Sequence, residues 1–198
     1  MRSALVLAGG RGRPTRDASG RVAEVDGEPA VRRVVRRVGK TVDEVVVTCR
    51  DAQRDRIAEA LDGLDYRFAV DRTARGEPVG RMRTGFRMVS GSAVAVVACG
   101  LPRVDPALLE GLFDACDGAA VPRADDRLYP LHAVYDRRNA RAACDRTLAV
   151  GSRRLYDVLS RVDPVTVPVG AVDGVADDPF ATDDRIEDLT TATGAITG

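Results

Sequence analysis

A glycine pair followed by arginines lies directly behind the first apolar run of the chain. Residues 4–7 are Ala-Leu-Val-Leu, and Ala8, Gly9, Gly10 and Arg11 follow them. Glycine lacks a Cβ and allows positive φ angles, so its backbone N–H groups come close to a phosphate. Arginine supplies positive charge for the same group. A glycine pair in this position is also common in plain strand-to-helix turns. The pattern therefore predicts either a phosphate-binding loop or such a turn.

Polar side chains also follow later apolar runs. Thr48 and Arg50 lie at the end of one run, Asp71 ends another, and Gly100 follows the most apolar one. If these runs are parallel strands, their carboxyl ends meet at one edge of a sheet, where ligands bind in such folds. A hydroxyl, a cation and an acceptor for a base edge or a ribose would then lie beside the glycine loop. Asp71 alone is also typical of a turn, but the whole set favours a nucleotide.

The elements that must position these groups alternate between strand and helix. Apolar runs predict strands at residues 4–8, 22–25, 44–49, 66–70, 93–99, 118–122, 128–135 and 165–169. Helical spacing predicts helices at residues 30–38, 51–61, 79–89, 106–113, 139–148, 152–159 and 186–189. The alternation predicts βαβ units and so an α/β fold, a Rossmann-like three-layer α/β/α sandwich around a mostly parallel sheet. We expect a single domain over residues 1–198, frayed from about residue 190.

Two of these elements carry more specific predictions. In the helix at residues 30–38, valines share one face and two arginine pairs lie opposite, which favours a solvated polar face over a nucleic-acid contact. In the strand at residues 128–135, Pro130 removes a hydrogen-bond donor, which is typical of an edge strand or a bulge.

Composition argues against several classes of partner. The formal net charge is zero, from 30 basic and 30 acidic residues, and tryptophan is absent, so a nucleic-acid partner is not expected. No apolar run approaches the length that crosses a bilayer, so no membrane partner is expected either. The four cysteines form no CxxC pair and are expected to be buried free thiols. We therefore expect a soluble protein of the cytoplasm.

Motifs along nearly the whole chain resemble one enzyme family. They are residues 7–11 (Leu-Ala-Gly-Gly-Arg), 26–29, 43–47, Asp71 before 76–80, 96–106, 130–135, 151–154 and 182–189. In these stretches the chain resembles the molybdenum cofactor guanylyltransferases, which are glycosyltransferase-A-like nucleotidyltransferases, and it looks like a divergent member. The resemblance implies that GMP is transferred from GTP to the molybdopterin cofactor with release of pyrophosphate. It also implies Mg²⁺ as cofactor and a nucleotide site formed by Leu7, Ala8, Gly9, Gly10, Arg11, Thr48 and Asp71.

The chain departs from the family pattern where the chemistry would occur. The loop arginine, glycine and lysine of the family fall on Pro14, Arg16 and Gly20. Arg13, Arg16 or Arg21 is then the candidate to supply the missing positive charge on the phosphates, although arginine differs from lysine in shape and reach.

The implied metal site departs from the pattern as well. The metal-binding aspartate of the family falls on Gly100, and Thr48 replaces an asparagine. Asp184 falls on a family asparagine and becomes the candidate Mg²⁺ ligand, although a single carboxylate supplies few protein ligands for a metal ion. His132, the single histidine, borders the acceptor side in this comparison and is interpreted as packed or hydrogen-bonded rather than as an acid or base.

Three functions remain open at this point. The chain could be an active guanylyltransferase acting on GTP and a molybdopterin-type substrate. It could instead be a nucleotide-binding homologue that has lost catalysis and acts as a regulator or partner. It could also be another nucleotidyltransferase, such as a cobinamide-phosphate guanylyltransferase or a sugar-phosphate nucleotidyltransferase, although residues 130–135 favour the molybdenum branch.

Overall fold

Strands and helices alternate along the computed structural model, which describes residues 1–8, 24–71, 77–176 and 178–180. The strands are β1 (Arg2–Leu7), β2 (Glu24–Val25), β3 (Glu28–Pro29), β4 (Glu44–Arg50), β5 (Arg67–Asp71), β6 (Ala93–Ala98), β7 (Ala119–Ala124), β8 (Arg127–Leu128), β9 (His132–Asp136) and β10 (Val165–Pro168). The helices are α1 (Ala30–Val38), α2 (Arg54–Ala60), α3 (Pro78–Met88), α4 (Pro106–Ala115), α5 (Arg137–Ala149) and α6 (Leu155–Val162). Short 3-10 turns lie at Asp51–Gln53 and Val169–Ala171. The strand predicted at residues 22–25 is seen from Glu24, and the helix predicted at residues 186–189 lies outside the described residues.

One sheet holds eight of the strands in the described part of the chain. Its order is β10-β7-β9-β6-β1-β4-β5, and β8 pairs with β7. Strands β5, β4, β1 and β6 are mutually parallel, as are β7 and β10, whereas β9 is antiparallel to both of its neighbours. The predicted mostly parallel sheet is therefore confirmed.

Each face of the sheet is covered by helices. Successive side chains of a strand point to opposite faces. Ala4 and Val6 of β1 accordingly pack with α1, α2 and α4, and Leu5 and Leu7 pack with α3, α5 and α6. The predicted three-layer sandwich is confirmed by these two cores. Strand β6 is the central strand expected from its composition, since Val94–Val97 are fully buried.

Helix α1 buries its valine face, as predicted. The buried valines are Val31, Val34, Val35 and Val38. Instead of being simply solvated, as predicted, the arginines on the opposite face form ion pairs and hydrogen bonds within the protein. Arg33 forms an ion pair with Asp26 at 2.7 Å, Arg36 pairs with Glu28 at 2.9 Å, and Arg37 donates a hydrogen bond to the segment before α4. These arginines therefore bind the protein itself.

The prediction of one strand over residues 128–135 is wrong. The run divides into β8 and β9, with Pro130 between them. The backbone N–H of Tyr129 donates to Pro122 of β7, and that of His132 donates back to Tyr129, so the chain turns here. After the turn, β9 lies between β6 and β7 and is not an edge strand. Proline has no backbone N–H to donate to a neighbouring strand, and in the turn between β8 and β9 no such donor is needed. Pro130 is therefore accommodated at the break between the two strands.

All four cysteines are free thiols, as predicted. Cys49, Cys99 and Cys144 are buried and Cys116 is partly buried. Among the described helices, none combines the length and the apolar character needed to cross a bilayer.

Candidate active site

The carboxyl ends of three neighbouring parallel strands, β1, β4 and β5, bring several of the predicted nucleotide-binding residues together. Leu7 of β1 lies opposite Thr48 of β4, and Arg50 at the end of β4 lies opposite Asp71 at the end of β5. The backbone N–H of Ala8 extends the ladder by donating to the Thr48 carbonyl at 2.9 Å. These residues therefore lie together at one edge of the sheet, as expected. Their binding of a nucleotide stays a prediction.

The same residues share one face of the sheet, the face that α3 covers. Leu5, Val46 and Ala69 pack against α3, and the residues two positions further along each strand point the same way. Asp71 is 3% exposed and Thr48 is fully buried. The Thr48 hydroxyl donates to the Val6 carbonyl at 3.4 Å. In this structure that hydroxyl therefore supports the end of β1 from within the sheet.

Most residues of the predicted phosphate loop, and the predicted metal ligand, lie outside the part of the chain that the structure describes. Gly9, Gly10, Arg11, Arg13, Arg16, Arg21 and Asp184 lie outside the described residues. Their assigned roles rest on the sequence alone.

The described residues do not fit the Mg²⁺ site that the family resemblance implies. Gly100 is buried in the turn after β6 and has no side-chain ligand atom. Within the ranges that the structure covers, no group of three or more His, Cys, Asp or Glu side chains gathers in a metal-binding arrangement. Proteins usually hold Mg²⁺ through one or two carboxylates, together with waters and substrate phosphates.

His132 lies at the same sheet edge, because β9 runs antiparallel and begins where β6 ends. It pairs with Val97 of β6 and is fully buried. Its ring packs edge-on against the ring of Phe180, with the centroids 5.2 Å apart. The ring of Tyr129 stacks face to face on the same Phe180 ring, with the centroids 3.7 Å apart. Burial lowers the pKa of His132 to about 4, and the Asp105 carboxylate opposes this shift. The imidazole is therefore neutral at pH 7 and packed rather than hydrogen-bonded within the described chain.

Asp105 ties the start of α4 to the segment near residue 176. One carboxylate oxygen accepts hydrogen bonds from the backbone of Ala107 and Leu108, which is the helix cap expected from the Asp-Pro pair. The other oxygen accepts from the Ala176 N–H at 3.1 Å. This second bond, which the sequence did not predict, holds the later segment against the start of α4.

Arg81 is a buried cation near the same sheet edge that the sequence pattern did not single out. It lies in the first turns of α3 and is 6% exposed. An arginine on an amphipathic helix is expected to be exposed. No local pattern marks it, because which arginine of α3 is buried depends on how the helix packs on the sheet.

A shallow cavity of about 380 Å³ opens further along the same edge. It is lined by residues 123–126 at the end of β7 and by residues 168–170 at the end of β10. Arg123 and Asp126 form an ion pair at 3.1 Å on its rim. The cavity is polar and lies on the β9 side of the site, away from Asp71.

Comparison with known proteins places these features in a family. The MobA-like NTP transferase domain matches residues 4–165. The probable molybdenum cofactor guanylyltransferase of Natronomonas pharaonis is 39% identical over 173 residues, 86% of each chain. The similarly named protein of Haloferax mediterranei is 34% identical over 196 residues, 95% of this chain and 91% of that one.

Solved structures show the same fold at lower identity. The molybdopterin-guanine dinucleotide biosynthesis protein A of Archaeoglobus fulgidus superposes with a TM-score of 0.71 at 22% identity, covering 98% of this chain and 97% of the other. A 4-diphosphocytidyl-2C-methyl-D-erythritol synthase of Anaerococcus prevotii gives 0.72 at 15% identity over 97% of this chain and 94% of that one. The nucleotidyltransferase fold is thus shared, and with a family match over most of its length the chain belongs to the MobA-like NTP transferases.

Proposed function

We propose that this protein transfers GMP from GTP to the molybdopterin cofactor and releases pyrophosphate. The observation that carries the proposal is the match to relatives named molybdenum cofactor guanylyltransferase, which extends over 86% and 95% of the chain. The convergence of Leu7, Thr48 and Asp71 at the carboxyl edge of the sheet supports a nucleotide site there. The four free cysteines, three of them buried, support a reducing compartment, which makes the cytoplasm the proposed location.

In the proposed site, the end of β1 receives the nucleotide. The backbone of residues 7–11 lies against the base and the phosphates, and Asp71 accepts hydrogen bonds from the base edge or the ribose. His132 borders the acceptor side as a packed, neutral residue. The single-domain organisation over residues 1–198 is part of the same proposal.

The reaction is an in-line displacement at the α-phosphorus of GTP. A phosphate oxygen of the acceptor forms the new P–O bond, and the bond from the α-phosphorus to the bridging oxygen breaks. The electron pair stays on that oxygen, which leaves as part of pyrophosphate. Because negative charge grows on the leaving group, the protein's contribution is positioning and positive charge. Arg13, Arg16 and Arg21 are the proposed sources of charge within the loop.

Gly100 favours a second candidate function. A glycine in place of the implied metal-binding aspartate is compatible with a homologue that binds a nucleotide without transferring it. The two candidates differ in turnover and agree in binding.

A transfer assay with a matched pair of nucleotides tests the proposal. Purified protein is incubated with molybdopterin cofactor and either GTP or ATP, and pyrophosphate and the dinucleotide product are measured. We expect GTP-dependent product at a rate on the order of 1 s⁻¹, at least about tenfold faster than with ATP. Cobinamide phosphate as an alternative acceptor should give no product.

Variants and calorimetry separate the possible outcomes. Asp71→Asn should weaken GTP binding by about tenfold because it removes a charged acceptor, whereas Asp145→Asn, on the distant surface of α5, should leave it unchanged. GTP binding without product would establish the second candidate. Absence of heat with either nucleotide, with and without Mg²⁺, would contradict both.

A further inference from the structure

Arg81 is a buried cation without a complete set of partners. It is 6% exposed, and its Nε has no hydrogen-bond partner in the part of the chain that the structure describes. Arginine is seldom buried unless it is paired, because an unused donor and an enclosed charge each cost free energy. A guanidinium held in this way is explained by a ligand that completes its hydrogen bonds.

The groups around Arg81 are the ends of three strands. Arg50 at the end of β4, Asp71 at the end of β5 and Cys99 just after β6 all interact electrostatically with its guanidinium. Burial lowers the pKa of Arg81, and Arg50 adds to this effect while Cys99 and Asp71 oppose it. The guanidinium nevertheless stays charged, because arginine does not lose its proton in proteins.

These neighbours leave positive charge in excess. Burial raises the pKa of the Cys99 thiol to about 11, so the thiol is neutral at pH 7 and does not offset Arg81. Asp71 is then the one carboxylate among these neighbours of Arg81, against the two guanidinium groups of Arg81 and Arg50. The Arg50 guanidinium also donates to Gln53 Oε1 at 3.1 Å. The local balance suits an anion.

This charge lies close to the residue that precedes the missing metal ligand. Cys99 directly precedes Gly100, where the family resemblance implies a carboxylate that holds a metal ion. A carboxylate at residue 100 and a metal ion would supply positive charge at the end of β6. In this chain the carboxylate is absent, and a guanidinium lies close by.

We propose that Arg81 binds the phosphate chain of the nucleotide at the carboxyl end of β6, as a fixed cation in place of a carboxylate-held metal ion. The inference rests on the proposed function for the identity of the nucleotide, but the phosphate site itself does not depend on guanine. Guanidinium is well suited to this task because it donates paired hydrogen bonds to phosphate oxygens.

Titration calorimetry with inorganic pyrophosphate and with GTP, each in EDTA and in Mg²⁺, tests the inference. Wild-type protein should bind pyrophosphate in EDTA, with an affinity within about threefold of that in Mg²⁺. Arg81→Gln should weaken both ligands by at least about tenfold, and Arg81→Lys, which keeps the charge, should lose less. Arg87→Gln is the matched control, because Arg87 lies on the same helix with a half-exposed side chain.

Guanosine, which has no phosphate, should bind wild type and Arg81→Gln equally if Arg81 contacts the phosphates. Circular dichroism checks that each variant is folded, and the EDTA result on wild type needs no variant. Pyrophosphate binding that requires Mg²⁺, or that is unchanged in Arg81→Gln, would overturn the inference. Arg81-dependent pyrophosphate binding without GMP transfer would instead leave the inference standing and contradict the proposed function.

Discussion

At the scale of single residues, His132 couples the stability of the protein to pH. It is the only histidine in the chain, fully buried, and its pKa is lowered from 6.5 to about 4 by burial. Below pH 6.5 the unfolded chain binds a proton that the folded chain does not yet accept. Acidification therefore favours the unfolded state until the folded-state pKa is reached.

The lowered pKa of His132 gives a prediction for how the free energy of unfolding changes with pH. Between pH 6.5 and about pH 4.5, His132 should remove about 2 kcal/mol of stability. Carboxylates titrate in the same range, so the readout is the difference between wild type and His132→Leu in urea unfolding at several pH values. Wild type should lose stability more steeply than the variant. Parallel pH profiles would show that the imidazole of the folded protein titrates normally.

At the scale of elements, the contact of α3 with β1 depends on a glycine. A Cβ built on Gly85 would come within 2.8 Å of Leu5 Cγ and closer to both of its methyl groups. Leu5 is fully buried, so its side chain has no space into which to move. In an exposed helix the change from glycine to alanine is stabilising. Here the clash dominates, because close-packed cores do not accept an extra methyl group without strain.

Gly85→Ala should accordingly destabilise the protein by about 1–3 kcal/mol in urea unfolding. Arg87→Ala, at a half-exposed position of the same helix, should change stability by less than about 0.5 kcal/mol. In the double variant with Leu5→Ala, the new methyl group occupies part of the vacated space. The double variant should therefore lose less stability than the sum of the losses in the two single variants. A stabilised Gly85→Ala variant would contradict the close contact.

The same elements show what the sequence could and could not predict. Helix α1 and strand β6 followed from local patterns, since valine spacing and a continuous apolar run each specify burial directly. The division of residues 128–135 into β8 and β9 depends on pairing with β7, about which a single run of residues holds little information.

The candidate site divides in the same way. The meeting of Leu7, Thr48 and Asp71 followed from the geometry of parallel strands. Arg81 could not be singled out, because its burial is decided by how α3 packs on the sheet. A helix pattern with several arginines does not specify which of them is covered.

At the scale of the whole molecule, two cores lie on opposite faces of one sheet. Cys49 belongs to the core beneath α1, α2 and α4, and Cys144 to the core beneath α3, α5 and α6. Both thiols are fully buried, and burial raises their pKa values to about 11 and about 12. Since the thiolate is the reactive form, each thiol should be inert in the folded protein at neutral pH. The two cysteines therefore report separately on the two cores.

If residues 1–198 form a single domain, both cores should open in one transition. Strands β1, β4, β5, β6, β7 and β9 each contribute alternate residues to both cores, so neither layer of helices can leave without exposing the sheet. Thiol labelling across a urea series, read by peptide mass spectrometry, should show Cys49 and Cys144 reacting at the same midpoint as the loss of helical circular dichroism. The partly buried Cys116 should react first and confirm that the reagent is active. Labelling of Cys144 at a midpoint lower by about 1 M than that of Cys49 would instead show that the α3, α5 and α6 layer separates from the sheet as an independent unit.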